Sequence, residues 1–311
     1  MSMQSNMRRL AAGVSWQVRG LFATESTRRL GFWARALCQP TEIRARTQAA
    51  NKLAATMDPA LRVSDKDGYL RLPTSSMPDV SAICTTGREL ANKLVDSNAG
   101  PGGKTFHRNQ LANQAQRRAL LALALDPAMV AMASAYLGVL PVLTDLDYFM
   151  SVPSPPPWKK SQLWHCDDDS PRQLKIFIYC DDVSEDNGPF EMIGAGASME
   201  ARAALRYRYA GRRYRVTDAE MDEHVPREHQ LSVTGGRGSA FVVDTARCFH
   251  KGSRIVKAAN FRMVAVALYV TPNGAKLPLR LSHRPGPYAD LAVDRLSDLD
   301  RAVLGLPLTR P

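Results

Sequence analysis

The stretch Gln162-Leu163-Trp164-His165-Cys166-Asp167-Asp168-Asp169 sets an imidazole and a carboxylate two positions apart. On an extended strand, positions i and i+2 point to the same side, so His165 and Asp167 can converge on one metal ion. A third donor has to come from a distant segment, and His107, His224, His229, His250 and His283 are the histidines available. His250 stands out among them. It follows the strand-like SAFVVDTARCF and precedes FRMVAVALYV, about where a sheet edge would turn. Two histidines and one carboxylate form a facial set that suits non-haem iron and leaves positions open for a bidentate oxyacid and then O2. A structural zinc site is the competing use of such residues, but HxD…H lacks the fourth protein ligand of a closed zinc centre.

Such donors need a scaffold that brings 165–167 beside 250. Tyr69-Leu70-Arg71-Leu72, VLTDLDYFMSV, LKIFIYCDDV, SAFVVDT and FRMVAVALYV read as strands. Residues 86–99 and 111–138 read as helical, with Pro127 marking a break between two helices. Residues 1–60 are helix-like and basic, with nine Lys or Arg against three acids, and Leu10, Val14, Val18, Leu21 and Phe22 recur at helical spacing. A short helix is expected near LSDLDRAVLG. Helices first and strands later, without regular alternation, predict an α+β fold with a β-sandwich or barrel as its core. No GxGxxG or GxxxxGK[ST] loop supports a nucleotide-binding fold.

QLWHCDDD, then LKIFIYCDDVSEDNGPFEMI, then FVVDTARCFHKGSRIVKAANFRMVAVALYV together resemble the phytanoyl-CoA dioxygenase family. DKDGYLRLP and AYLGVLP extend the resemblance over about residues 65–272. It implies an Fe(II)/2-oxoglutarate-dependent oxygenase with a double-stranded β-helix core, a jelly-roll of cupin-like form with flanking helices. Residues 1–60 would then be a helical basic N-terminal extension, and residues 61–311 the oxygenase domain with an Arg-rich insertion at about 200–234. The resemblance implies that His165, Asp167 and His250 bind iron, that Arg262 anchors the far carboxylate of 2-oxoglutarate, and that O2 is the other cosubstrate. Arg254 competes with Arg262 for that task, and Gln162, Thr144 and Tyr148 are candidates for supporting hydrogen bonds, with core packing the alternative for Tyr148. Trp164 is expected to pack behind the site and is also a candidate substrate contact. Where relatives carry a Pro-Gly-Ser-His turn, this chain has Gly194-Ala195-Gly196-Ala197-Ser198-Met199. Related halogenases replace the ligand carboxylate with a small residue; the intact Asp167 therefore points to hydroxylation.

The bulk numbers bound the partners. Hydrophobic residues at 45% and charged residues at 23% are ordinary for a globular chain. The net charge of +11 suits an anionic small molecule, and Arg202, Arg206 and Arg212, within the cluster that also holds Arg208, Arg213 and Arg215, are candidate substrate contacts from a lid. No basic-aromatic interleaving or recognised module supports nucleic-acid binding. Five scattered cysteines argue against a disulfide framework and fit a reducing, cytoplasmic setting. No apolar run of membrane-spanning length and no secretion signal is expected, while the basic N-terminal segment permits peripheral membrane contact. Two other readings remain open: a non-catalytic jelly-roll that binds an acidic ligand, and an oxygenase that desaturates or cyclises. Substrate identity, the oxidised position and oligomeric state are not written in the residues.

Overall fold

A computed structural model describes residues 23–96, 106–108, 113–154, 156–252, 254–255, 261–291 and 296–308. The expected helical spacing through Leu10, Val14, Val18, Leu21 and Phe22 lies outside the described residues.

Nine strands form two antiparallel sheets among the described residues. They are β1 (Tyr69–Arg71), β2 (Phe106–Arg108), β3 (Val142–Ser151), β4 (Gln173–Tyr179), β5 (Phe190–Ile193), β6 (Gln230–Val233), β7 (Ala240–Val243), β8 (His250–Lys251) and β9 (Arg262–Val270). The larger sheet runs β1-β7-β4-β9-β3-β2 and the smaller β6-β5-β8. Two facing antiparallel sheets with flanking helices make the α+β, double-stranded β-helix architecture.

Alternation along the central strands splits the side chains into two layers. Leu174, Ile176 and Ile178 of β4 and Met263, Ala265, Ala267 and Tyr269 of β9 pack on one side in a single core with Leu90, Leu120, Leu123, Met129 and Leu137. Those five residues come from α3 (Ser81–Asp96), α4 (Gln114–Ala124) and α5 (Pro127–Leu137). Phe177, Tyr179, Val264 and Val266 face the opposite way, toward Phe190, Met192 and Val233 of the smaller sheet. The functional cavity lies in this second layer.

Local signals set the helix ends. Asn113 and Gln116 close a capping box at α4. Asp126 caps α5 by accepting from the backbone of Ala128 and Met129, with Pro127 at the first turn and Gly138 leaving in the left-handed conformation (φ 70°). The break expected at Pro127 is therefore a helix start.

The N-terminal helices are α1 (Glu25–Leu37) and α2 (Pro40–Ala55), and α2 packs against α5. Arg46 is buried completely. It pairs with Glu42 at 2.6 Å and donates to the carbonyl oxygens of Leu140, Pro141, Ala302 and Leu306. Burial lowers the pKa of its guanidinium and the Glu42 charge opposes that shift. Arg35 likewise donates to the carbonyl oxygens of Asn273 and Gly274. The expected short helix near the C-terminus spans Asp298–Val303. Four strands were not expected from the sequence: β2, β5, β6 and the two-residue β8. Among the described residues, no single helix is long and apolar enough to cross a membrane.

Candidate metal centre

His165 and His250 are brought together by backbone pairing. The N–H of His165 donates to the carbonyl of His250 at 3.0 Å and the reverse bond is 2.9 Å, so the residues sit directly opposite in an antiparallel bridge. Opposed residues project to the same face, and the imidazole centroids are 4.2 Å apart. Asp167 follows on that face. Its Oδ1 is 3.8 Å from Nε2 of each histidine. Those separations are too long for hydrogen bonds, but they fit three atoms around a metal ion at ligand distances of about 2.0–2.2 Å. One ligand atom from each residue lies within 4.8 Å of the others.

The second nitrogen of each ring fixes its tautomer. His165 Nδ1 lies 2.8 Å from the carbonyl oxygen of Leu163, and His250 Nδ1 lies 3.1 Å from that of Cys248. A carbonyl only accepts, so both Nδ1 atoms carry the proton and both Nε2 lone pairs face Asp167. Burial holds His165 well below the ordinary imidazole range, helped by the neighbouring charges of His250 and Arg215 and opposed by Asp167. Burial likewise brings His250 down to about 4, against the opposing pull of Asp167. Both rings are neutral at pH 7, the state a metal needs.

Asp167 is ionised. Burial alone would raise its pKa, but Lys175 and the two imidazoles hold it far below the usual carboxylate range. Lys175 Nζ lies 2.6 Å from Oδ2, and Gln173 Nε2 approaches the same oxygen at 3.4 Å. Lys175 is the functional residue that sequence reasoning missed. Its only signal was a lysine inside the otherwise apolar strand Gln173–Tyr179.

The triad opens onto a cavity of about 270 Å³. Phe149, Phe177, Phe190, Val264 and Val266 supply its apolar wall, and Asp145, Ser151, Lys175 and Arg262 are among its polar groups. Arg262 pairs across the sheet with Ser151, donates to the Gly188 carbonyl, and has Nη2 3.4 Å from Ser151 Oγ. Gly252 gives it room: a Cβ there would stand 3.3 Å from Arg262 Nη2. The competing Arg254 is held elsewhere, by the Asp218 carboxylate and by the carbonyl oxygen of Gln162 at 2.7 Å.

Several expected site residues are placed away from this cavity. Tyr148 points into the helix-facing core, with its hydroxyl 3.5 Å from the Gln116 carbonyl. Gln162 is buried with its amide bonded to Ser154 Oγ at 2.6 Å and to the Lys159 N–H at 3.2 Å. Thr144 sits at a register shift in β3, its hydroxyl buried with no hydrogen-bond partner among the described residues, while Asp145 takes the cavity side. Trp164 is fully buried in an apolar cluster with Tyr207 and Phe249, under Lys251 Nζ at 4.4 Å from its ring. Arg202 is buried against Glu25 and the Arg247 carbonyl, whereas Arg206 and Arg212 are exposed; none of the three lines the cavity. Asp168 is exposed as a loop residue should be, but Asp169 is buried, pairs with Lys276 at 2.5 Å and lines the cavity. His224, His229 and His283 are exposed and outside the cluster. The side chain of His107 lies outside the described residues.

No protein-family model matches the chain, and no curated protein matches it. Solved structures give distant likenesses. AviO1 from Streptomyces viridochromogenes Tue57 is 17% identical over 68% of this chain and 94% of that one, with a TM-score of 0.45. The apoform of EctD from S. alaskensis is 19% identical over 71% and 87%, with a TM-score of 0.45. The epimerase SnoN, solved with Fe3+, alpha ketoglutarate and nogalamycin RO, is 18% identical over 85% and 96%, with a TM-score of 0.48. The case for a metal centre rests on the atoms of His165, Asp167 and His250.

Proposed function

We propose that this protein is a non-haem Fe(II)/2-oxoglutarate-dependent oxygenase of the phytanoyl-CoA dioxygenase type that hydroxylates a small molecule. The observation that carries this reading is the convergence of two Nε2 lone pairs and one carboxylate oxygen on a single point, in a cavity that also holds Arg262. Three ligands from one side leave the cavity side open, as catalysis on a metal requires and a closed structural site does not.

His165, Asp167 and His250 would hold the metal. Bound there, Fe(II) supplies the redox chemistry that couples decarboxylation of 2-oxoglutarate to succinate and CO2 with oxidation of a substrate C–H bond by O2. The chain's own residues do the rest. Arg262 offers a planar guanidinium to the far carboxylate of 2-oxoglutarate, a pairing that can be bidentate. Phe149, Phe177 and Phe190 exclude water from the cavity wall. Lys175 keeps Asp167 charged and fixes which of its oxygens faces the histidines. Asp167 itself fills the position that a halide would need, which favours hydroxylation.

The direct test is succinate formation by anaerobically purified protein given Fe(II), 2-oxoglutarate and O2, beside His165→Ala. Succinate from the wild type alone is the expected result. If the wild type binds neither Fe(II) nor 2-oxoglutarate, the reading fails and ligand binding without catalysis takes its place.

A further inference from the structure

The arginine-rich stretch holds one residue that differs from its neighbours. Trp164 and Val216 pair as an antiparallel bridge, with N–H to carbonyl distances of 3.0 Å in both directions. Arg215 is extended (φ −126°, ψ 126°), so the residue opposite it across this bridge is His165. Opposed residues on paired strands project to the same face. Arg215 is thereby set on the metal-binding side of the 164–167 segment, whereas Trp164 and Val216 turn into the apolar cluster behind.

The charge of Arg215 is uncompensated. Lys175 faces Asp167, Lys276 faces Asp169, and Lys251 and Arg254 share Asp218. Arg215 forms no ion pair among the described residues; its guanidinium lies over the Tyr214 ring at 4.1 Å, and its Nη1 is buried with no hydrogen-bond partner. Leaving a buried guanidinium N–H without an acceptor is unfavourable, and an incoming oxyanion would supply the missing acceptor. Its field already reaches the site, since it contributes to lowering both His165 and His250.

We propose that Arg215 is a substrate-binding residue that anchors an oxyanion, a carboxylate or a phosphate, on the organic molecule oxidised at this centre. The apolar body of that molecule would lie along the phenylalanine wall, with its anionic end held across from His165. This rests on the metal-centre reading above and adds the class of substrate to it. Arg262 is reserved for 2-oxoglutarate, so two guanidiniums on different elements divide two anions between them.

The test uses the full chain loaded with Mn(II) and 2-oxoglutarate, with benzoate and phenyl phosphate as probes and neutral benzamide as control. Paramagnetic relaxation of the probe nuclei reports binding near the metal. Wild type should bind at least one oxyanion probe, and the tighter of the two identifies the group. Arg215→Gln should weaken that probe by about tenfold or more, as expected for loss of a charge-assisted hydrogen bond, Arg215→Lys should retain most of the binding, and benzamide should not distinguish the proteins. Undiminished oxyanion binding in Arg215→Gln, equal loss of benzoate and benzamide, or no oxyanion binding by wild type would each overturn the proposal. Failure of wild type to take up Mn(II) would instead sink the metal-centre reading. Calorimetric titration of the metal-free proteins with the same probes then judges Arg215 by the same criteria.

Discussion

Lys175 Nζ lies 2.6 Å from Asp167 Oδ2, while Asp167 Oδ1 is the oxygen nearest both imidazoles. The two carboxylate oxygens are thus divided between a permanent cation and the pair of imidazoles. In the metal-free protein the lysine is the principal counter-charge of a nearly buried carboxylate. Lys175→Met should therefore destabilise the metal-free protein by about 3–5 kcal/mol, the usual cost of breaking a buried pair. Mn(II) should restore more stability to the variant than it adds to wild type, because the metal then supplies the missing positive charge. Scanning calorimetry with and without Mn(II) checks both parts. Equal metal-induced shifts in the two proteins would show that Lys175 does not serve as the stand-in charge.

Arg262 and Arg254 separate cleanly by environment. Arg262 faces the cavity, whereas Arg254 is committed to Asp218 and the Gln162 carbonyl. In the Mn(II)-loaded protein, Arg262→Gln should weaken 2-oxoglutarate by about tenfold or more, and Arg254→Gln should leave its affinity close to wild type. Isothermal titration with 2-oxoglutarate decides between them. The reverse ranking would move the cosubstrate anchor to Arg254.

The pH dependence follows from the buried imidazoles. His250 titrates at about 4 in the folded protein against an ordinary 6.5. Between those values the unfolded chain binds the proton and the folded chain does not, so stability contributed by His250 is present above pH 6.5 and is lost as pH falls toward 4. The loss amounts to about 3 kcal/mol. His165 is shifted in the same direction and adds to the slope. Urea unfolding of metal-free wild type and His250→Gln from pH 7 to pH 4 should show a shallower decline in the variant. Metal binding should stay level well below pH 6.5, where an ordinary histidine site would already be protonated.

Asp244 braces the site from behind. It is fully buried, accepts from the Tyr136 hydroxyl at 2.8 Å and from the backbone N–H groups of Ala246 and Arg247 at 3.1 and 3.2 Å, and burial pushes its pKa up to about 6. The turn it ties leads into His250. Asp244→Ala strands several buried donors and should cost about 3–5 kcal/mol. Asp244→Asn keeps an acceptor for the turn and should cost clearly less. Chemical denaturation curves measure the difference; equal losses would mean that the turn does not depend on that acceptor.

The parts of this molecule that were legible in sequence are those governed by one strand at a time. His165 and Asp167 share a face because their spacing is two, and β4 and β9 declare themselves by their β-branched and apolar runs. What sequence could not provide was the phase of alternation in β3. The register shift between Leu143 and Asp145 turns Asp145, Phe149 and Ser151 toward the cavity and sends Tyr148 to the helices. Thr144 was therefore expected at the cavity and is not there, whereas Tyr148 takes the core packing that was the alternative reading for it. Arg202, Arg206 and Arg212 were singled out by local charge density, which carries no information about facing. Arg215 is distinguished only by the pairing of Val216 with Trp164, a contact between segments 52 positions apart along the chain. The strands β5, β6 and β8 were too short for a periodic signal.

The buried guanidinium of Arg46 has a consequence for the order in which the chain is assembled. Its acceptors include Leu140, Pro141, Ala302 and Leu306, the last separated from it by 260 positions. During synthesis, helix α2 emerges early but cannot fill its hydrogen-bonding requirement until residue 306 has left the ribosome. The N-terminal helices are thus latched by the C-terminal segment: a chain that stops short of Ala302 and Leu306 leaves this buried arginine without two of its acceptors.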